Sequence, residues 1–497
     1  MIFELVVVAV AVLLVWLSWF LLSTNYERSR MPPGPYPLPF IGNVHQLGRD
    51  PPFTLEHLRK KYGDVYTFST PVGNFVVVNS AKLARDLLVT KKDDFAGRPK
   101  TSFFPMTEIF MNKDIPSSDY SPSLLFRRKI VKSALRLFGE GTKVTEEKVT
   151  RDIKSFLQRI EETNGEAFSI HDHISALIIN MLCERVLSTR YPVNDITIKK
   201  LADFGRNILL LGKQGTIFQF FPFLKYLSKD FMSTFKDVIQ TRDEFFGGHL
   251  KSHRQTYEKG IIRDITDALL LAYDNEKDKH RNKDVGTSDD VMFLMLNVIL
   301  AGTDTSTTVL TWFMLYMILY KDTQEKIQKE IDKVTANGSS PTWRDAENYP
   351  YLLATICEIM RHSAFVPFLP PHKAIRNTTI AGYRIPKDTA VLVNLWRIHT
   401  DPNEWKDSES FKPERFLDQN DKFIGWEARP DFIPFGAGVR VCIGTVMAKQ
   451  EVFTVAAKLL QRFTLDVPEG GPTPSLEGES NAIRAPKHYT LTAKKRL

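Results

Sequence analysis

The chain has 497 residues, 43% of them hydrophobic, with 66 basic against 58 acidic side chains and a formal net charge of +8. That length allows one large body or several small domains with a sizeable core, and the mild basic excess suits an anionic membrane surface or an acidic partner rather than nucleic acid. Three cysteines without CxxC spacing, Cys183, Cys357 and Cys442, exclude a disulfide framework and a four-cysteine zinc site, and fit a reducing compartment.

The first element is "LVVVAVAVLLVWLSWFLL", residues 5–22, with no charge and one serine. About 20 apolar residues cross a bilayer core, so the stretch predicts a membrane span. Glu4 precedes it, and Arg28, Arg30, Arg59, Lys60 and Lys61 follow, which puts the downstream side in the cytosol. An acidic start and a long core separate it from a cleaved secretory leader. "PPGPYPLP" (32–39) cannot continue a helix and predicts a stiff extended spacer. Residues 1–24 are thus read as a signal anchor, 25–40 as a basic, proline-rich hinge, and 41–497 as the globular body.

"VYTFSTPVGNFVVVNS" (65–80) reads as a hairpin turning at Gly73-Asn74. Helical periodicity then dominates from about Ala81 to Lys333, interrupted by polar loops, the longest at 274–288. Short strand-like pieces return at 378–396. The fold expected is mainly α with a small β component. Cys183 and Cys357 lie in apolar helical runs and read as small buried hydrophobes.

Residues 290–320 form a helix apolar on nearly all sides, with Ser288 or Asp289 as N-cap. A second membrane span is excluded by its centre, "AGTDTSTT" (301–308). Gly302 weakens a helix, the hydroxyls compete for backbone carbonyls, and Asp304 puts a carboxylate where charge is costly. These departures mark a site where something else occupies the groove. Downstream, Glu358 and Arg361 stand three apart on one helical face, and Arg415 in "FKPERF" lies between apolar residues. A buried arginine needs a partner, and Glu358 is the candidate, which predicts a structural lock.

"PFGAGVRVCIG" (434–444) places Cys442 between glycines, beside Arg440 and just before a helix. Helix amides and Arg440 would lower the thiol's pKa. The thiolate could be a nucleophile or a metal ligand. No histidine base is near, so the ligand role fits better.

"FGAGVRVCIG" (435–444) resembles the FxxGxRxCxG heme-binding loop of the cytochrome P-450 family of heme-thiolate monooxygenases. "AGTDTS" (301–306) is similar to the family's oxygen-activating motif, and Glu358, Arg361 and Arg415 to its ExxR and PERF triad. The order and spacing match, and the anchor and proline hinge resemble the microsomal branch, so the likeness covers the whole chain. It implies the P-450 fold, with residues 41–497 as a heme-thiolate catalytic domain. Cys442 would ligate the iron of heme b (iron protoporphyrin IX), with Phe435 and Gly444 shaping the loop. Arg98, Arg128, His372 and Arg440 would meet the propionates. Many relatives have a tryptophan where this chain has Leu124, which removes one propionate hydrogen bond.

The resemblance further implies that Thr305, helped by Asp304, delivers protons during oxygen activation. Electrons would come from NADPH through a reductase docked on the basic face of Arg127, Arg128, Lys129, Lys132 and Arg136. The place implied is the endoplasmic reticulum membrane, single-pass, with a cytosolic catalytic domain. Candidate pocket walls are Phe103, Phe104, Ala301, Thr305, Val366, Phe368 and Ile483, which suit a flat lipophilic guest. "EIMRHSAFVPF" and "LVNLWRIHTDPNEW" are similar to the animal group of steroid 17-hydroxylases and aryl-hydrocarbon hydroxylases. The expected reaction inserts one oxygen atom from O2 into a steroid or planar aromatic. Two alternatives stay open: a heme-thiolate isomerase acting on peroxides, which Thr305 argues against, and a non-catalytic heme- or lipid-binding protein.

Overall fold

The computed structural model describes the chain except residues 1, 49–50, 100–104, 140–142, 279–284, 481 and 497. The N-terminal helix, Ile2–Arg28, is long and apolar enough to cross a membrane; it runs past the apolar stretch and is exposed along most of its length. The proline segment after it does not stand off as a spacer. Thr67 donates its hydroxyl to the Pro32 carbonyl at 2.8 Å and its N–H to the Pro33 carbonyl at 2.7 Å. Prolines lack donors but keep carbonyls, so an extended proline run can still accept from a strand edge. A Cβ at Gly34 would lie 1.9 Å from the Thr67 carbonyl oxygen, so only glycine permits this approach. Arg28 donates to the carbonyls of Gly34 and Pro35, each at 2.7 Å, and ties the end of the N-terminal helix to the same segment.

The hairpin forms, Val65–Thr70 against Gly73–Val78, but its turn is two residues earlier than expected. Thr70 pairs with Gly73, which leaves Pro71-Val72 as the loop. Proline is pre-set for that turn position, and Gly73 absorbs the following φ of +127°. Val391–Val393 lie parallel to Val76–Val78, and His372–Lys373 complete a four-stranded sheet. The "AVLVNLW" piece is strand only to Val393, because Asn394 caps a short helix by accepting from the Arg397 N–H.

Most other described residues are helical. Cys183 and Cys357 are buried as expected, and desolvation pushes the Cys183 thiol up to about 12, so neither is reactive. The expected 274–288 loop is shorter at its start, since a helix runs Ile265–Asp278; residues 279–284 lie outside the described ones. The central helix, Val291–Leu319, is preceded by a 3-10 turn at Ser288–Asp290. Thr287 caps that turn by accepting from the Asp289 N–H, and the helix's own N-cap is Asp290, which makes no side-chain cap bond, so neither Ser288 nor Asp289 is the cap. This helix crosses the body between two others, Ile170–Leu187 and Thr445–Arg462, the helix that follows Cys442. From Phe293 to Ile318, only Leu300, Ala301, Gly302, Asp304 and Thr305 are not buried. Protein therefore covers it everywhere except at the motif, where a cleft opens.

Candidate functional site

Cys442 stands two residues before Gly444, the N-cap of the helix Thr445–Arg462. Its N–H donates to the Phe435 carbonyl at 2.9 Å, which closes the loop on itself. Gly436 and Gly438 have φ of +70° and +67°, and a Cβ at Gly438 would lie 1.8 Å from the Leu88 carbonyl oxygen. These glycines seat the loop against the 86–90 segment, so that Cys442 projects forward. The cysteine is exposed although it lies deep in the fold, because it opens onto the internal cleft.

Burial raises the Cys442 thiol above its ordinary value, and the Gly444 N–H, the Thr445 hydroxyl and Arg128 pull it down less strongly. Two expectations are corrected here. Desolvation outweighs the helix terminus, and the cation acting on the sulfur is Arg128, which donates to the Val441 carbonyl at 2.7 Å. Arg440 points the other way, into the carbonyls of Ala96 (2.8 Å) and Ser118 (3.0 Å).

Arg98, Arg128, His372 and Arg440 converge. Arg98 donates to the carbonyls of Pro116, Pro370 and Pro371, and His372 Nδ1 lies 2.8 Å from the Phe95 carbonyl. Burial, then Arg440 and Arg128, hold the Arg98 guanidinium well below its ordinary range. Burial and Arg128 bring Arg440 down to about 10, and burial with Arg98 keeps His372 neutral. Asp114 and Asp119 offset this only in part, and Asp119 also accepts from Lys373 at 2.5 Å. A cluster of one buried and two half-buried guanidiniums, Arg98, Arg128 and Arg440, short of carboxylates calls for an anionic group. A thiol open to a cleft beside such a cluster fits a heme with two propionates. Leu124 is fully buried among apolar neighbours and offers no donor there.

Glu358 and Arg361 are fully buried. Arg361 donates to both Glu358 oxygens at 2.7 and 2.8 Å and to the His399 carbonyl at 2.8 Å. Arg415 donates to Glu358 at 3.2 Å, and the Lys412 N–H adds a bond at 2.9 Å. The three residues form one network next to the loop that leads to Cys442.

On the central helix, Ala301 is exposed and the Thr305 hydroxyl donates to its carbonyl at 2.6 Å. Gly302 does not serve the groove: a Cβ there would come within 3.0 Å of Leu182, so it admits the neighbouring helix. Asp304 packs against Gly205, where a Cβ would lie 3.1 Å from its Oδ1. Burial pushes its carboxyl up to about 6, with Arg206 opposing. Ser306 donates to Glu451 at 3.3 Å, and Glu451 also pairs with buried Arg185. This link joins the motif to the helix that follows Cys442, six residues past its start, about 9 Å along. Arg185 and Glu451 carry no sequence signal, because they are 266 residues apart, and the local bonds of Asp114 to Ser117 and Ser118 do not announce its place beside Arg98.

Of the pocket candidates, Phe103 and Phe104 lie outside the described residues. Val366 and Ile483 pack at the edge of the main core, whereas Phe368 packs against the sheet-side cluster of Leu55, Leu58 and Tyr66. The basic face is smaller than expected. Arg127 turns inward and donates to the Asn112 carbonyl, and Arg128 faces Cys442, while Lys129, Lys132 and Arg136 share an exposed face at helical spacing.

The family profile of cytochrome P450 matches residues 32–493. The chain is 34% identical to the steroid 17-alpha-hydroxylase/17,20 lyase of Rana dybowskii, over 96% of this chain and 93% of the relative. It is equally identical to the corresponding protein of Ictalurus punctatus, over 94% and 91%. Against cytochrome P450 1A1 of Canis lupus familiaris it is 34% identical over 89% and 86%. With the thiol loop, the cation cluster and the interrupted helix in place, these matches show that the chain belongs to the cytochrome P450 family and is a monooxygenase of that family.

Proposed function

We propose that the chain is a membrane-anchored monooxygenase that inserts one oxygen atom from O2 into a flat, lipophilic small molecule, steroid-like or planar aromatic. Its electrons come from NADPH through a reductase, and its cofactor is heme b. The observation that carries this is the exposed Cys442 sulfur beside the Arg98–Arg128–Arg440 cluster, of which Arg98 is buried. Heme bound there supplies the oxygen chemistry. The chain's own residues do the rest. Cys442 ligates, the guanidiniums and His372 hold the propionates, and the apolar walls exclude water. Thr305 and Asp304 pass protons at the cleft face of the central helix. The Glu358–Arg361–Arg415 network keeps the loop in place.

The exposed apolar anchor helix supports attachment to a membrane, and the downstream charges support a single pass with a cytosolic body at the endoplasmic reticulum. Lys129, Lys132 and Arg136 offer the reductase a basic docking face. Purified protein with reductase, NADPH and O2 tests the reading: NADPH is consumed in proportion to hydroxylated product. A peroxide isomerase or a heme carrier would show no such stoichiometry.

Two expected results concern the central helix. Thr305→Ala removes the hydroxyl that hands protons into the cleft. Product per NADPH falls by roughly tenfold or more while NADPH consumption persists, since positioned proton transfer contributes on the order of a hundredfold. Parallel product and NADPH assays check it. Asp304 has a folded pKa of about 6 against an ordinary 3.8, so the folded state pays for its ionisation. Stability from this group is full at low pH and is lost as pH rises from 3.8 through about 6. Asp304→Asn therefore raises the melting temperature at pH 8, with the gain shrinking towards pH 5, as thermal denaturation at the two pH values will show.

A further inference from the structure

Asn297 lies one turn before Ala301 and two before Thr305, so the three share one face of the central helix. That face opens onto the cleft at Ala301 and Thr305. Asn297 is itself 7% exposed. Its Oδ1 accepts from the Ile115 N–H at 2.8 Å. An N–H donor can meet only the oxygen of the amide, so this bond fixes which way the side chain is turned. The Nδ2 group has no protein partner among the described residues, and it is not among the atoms sealed in the core. A nearly buried amide thus keeps two donors without a described partner, on the helix face that opens at Ala301 and Thr305; the charged groups one turn earlier, Lys113 and Arg242 over the buried Phe293 ring, are donors themselves and cannot accept from it. Leaving such donors unmet is costly, and a guest that meets them is favoured.

We propose that Asn297 is a specificity-determining residue that donates a hydrogen bond from Nδ2 to an acceptor oxygen, a carbonyl above all, at the end of the substrate remote from the oxidised carbon. This rests on the monooxygenase reading and narrows it. Along the helix axis Asn297 lies about 12 Å from Thr305, eight residues at about 1.5 Å each. A flat fused-ring ketone spans that distance with its oxygen at one end. An unsubstituted polycyclic arene leaves the donors unmet and binds more weakly. The substrate class is therefore oxo-bearing, rather than any planar hydrocarbon of the right width.

The test is a spectral titration of the full-length heme-loaded protein at pH 8 with two steroids that differ only in a terminal ring, one with a ketone and one with a methylene. The ketone is expected to bind about tenfold tighter. In Asn297→Asp the carboxylate still accepts from the Ile115 N–H, so the contact that holds the 112–118 segment persists, but the donor is gone. The ratio then falls to about one. A purely structural role would weaken both guests alike and leave the ratio at about ten, which overturns the proposal. So does a wild-type ratio of one, or the absence of any spectral shift with either steroid while the reduced carbon monoxide adduct keeps its long-wavelength band. Absence of that band overturns the monooxygenase reading itself, and this proposal with it.

Discussion

Cys442→Ser abolishes the long-wavelength band of the reduced carbon monoxide adduct and lowers hydroxylation by roughly a thousandfold or more, on the order of 4 kcal/mol of barrier. The band reports a sulfur ligand directly, and absorbance spectroscopy of the reduced, carbon monoxide-treated protein checks the result. The substitution changes little else. The loop closes through the N–H of residue 442 and the Phe435 carbonyl, and its φ-positive glycines do not depend on the side chain. Serine therefore leaves the chain folded. Its oxygen, in a site where burial already raises the acidity cost of the thiol, is far harder to ionise and gives up less charge to a metal. Folded protein without the band is the expected outcome; a surviving band would mean that another residue ligates the iron.

Glu358→Ala is expected to destabilise the fold by about 3–5 kcal/mol, the range for stranding a buried charge. Glu358 accepts two bonds from Arg361, one from Arg415 and one from the Lys412 N–H, and it is wholly enclosed. Removing it leaves the fully buried Arg361 guanidinium with carbonyls but no carboxylate. Arg361→Lys does not rescue the fork, because one ammonium cannot make the two parallel bonds. Urea denaturation of the variant and wild-type proteins checks the magnitude. Heme content should fall together with stability, since the 404–416 segment that the network pins leads into the Cys442 loop.

The features legible in the sequence were those whose chemistry is local. The Cys442 loop, the "AGTDTS" interruption and the Glu358–Arg361 step each need fixed residue types a few positions apart. The rest needed three dimensions. Ser306, Glu451 and Arg185 meet across more than a hundred residues, and nothing near any of them announces the other two. Arg127 and Arg128 are neighbours in a basic run, yet one is buried against Asn112 and the other faces the thiol. Gly302 was a sign of a special place, but packing against Leu182 explains it. Asn297, in the apolar run before the motif, carries no local signal, because the Ile115 N–H that its oxygen accepts from is 182 residues away.

The lacing of residues 32–34 onto Thr67, with Arg28 clasping Gly34 and Pro35, gives the molecule a stiff neck. Were the N-terminal helix to span a bilayer, as proposed, such a neck would limit how far the body can tilt against it. Greasy guests that dissolve in the bilayer would then meet the same side of the enzyme at every encounter.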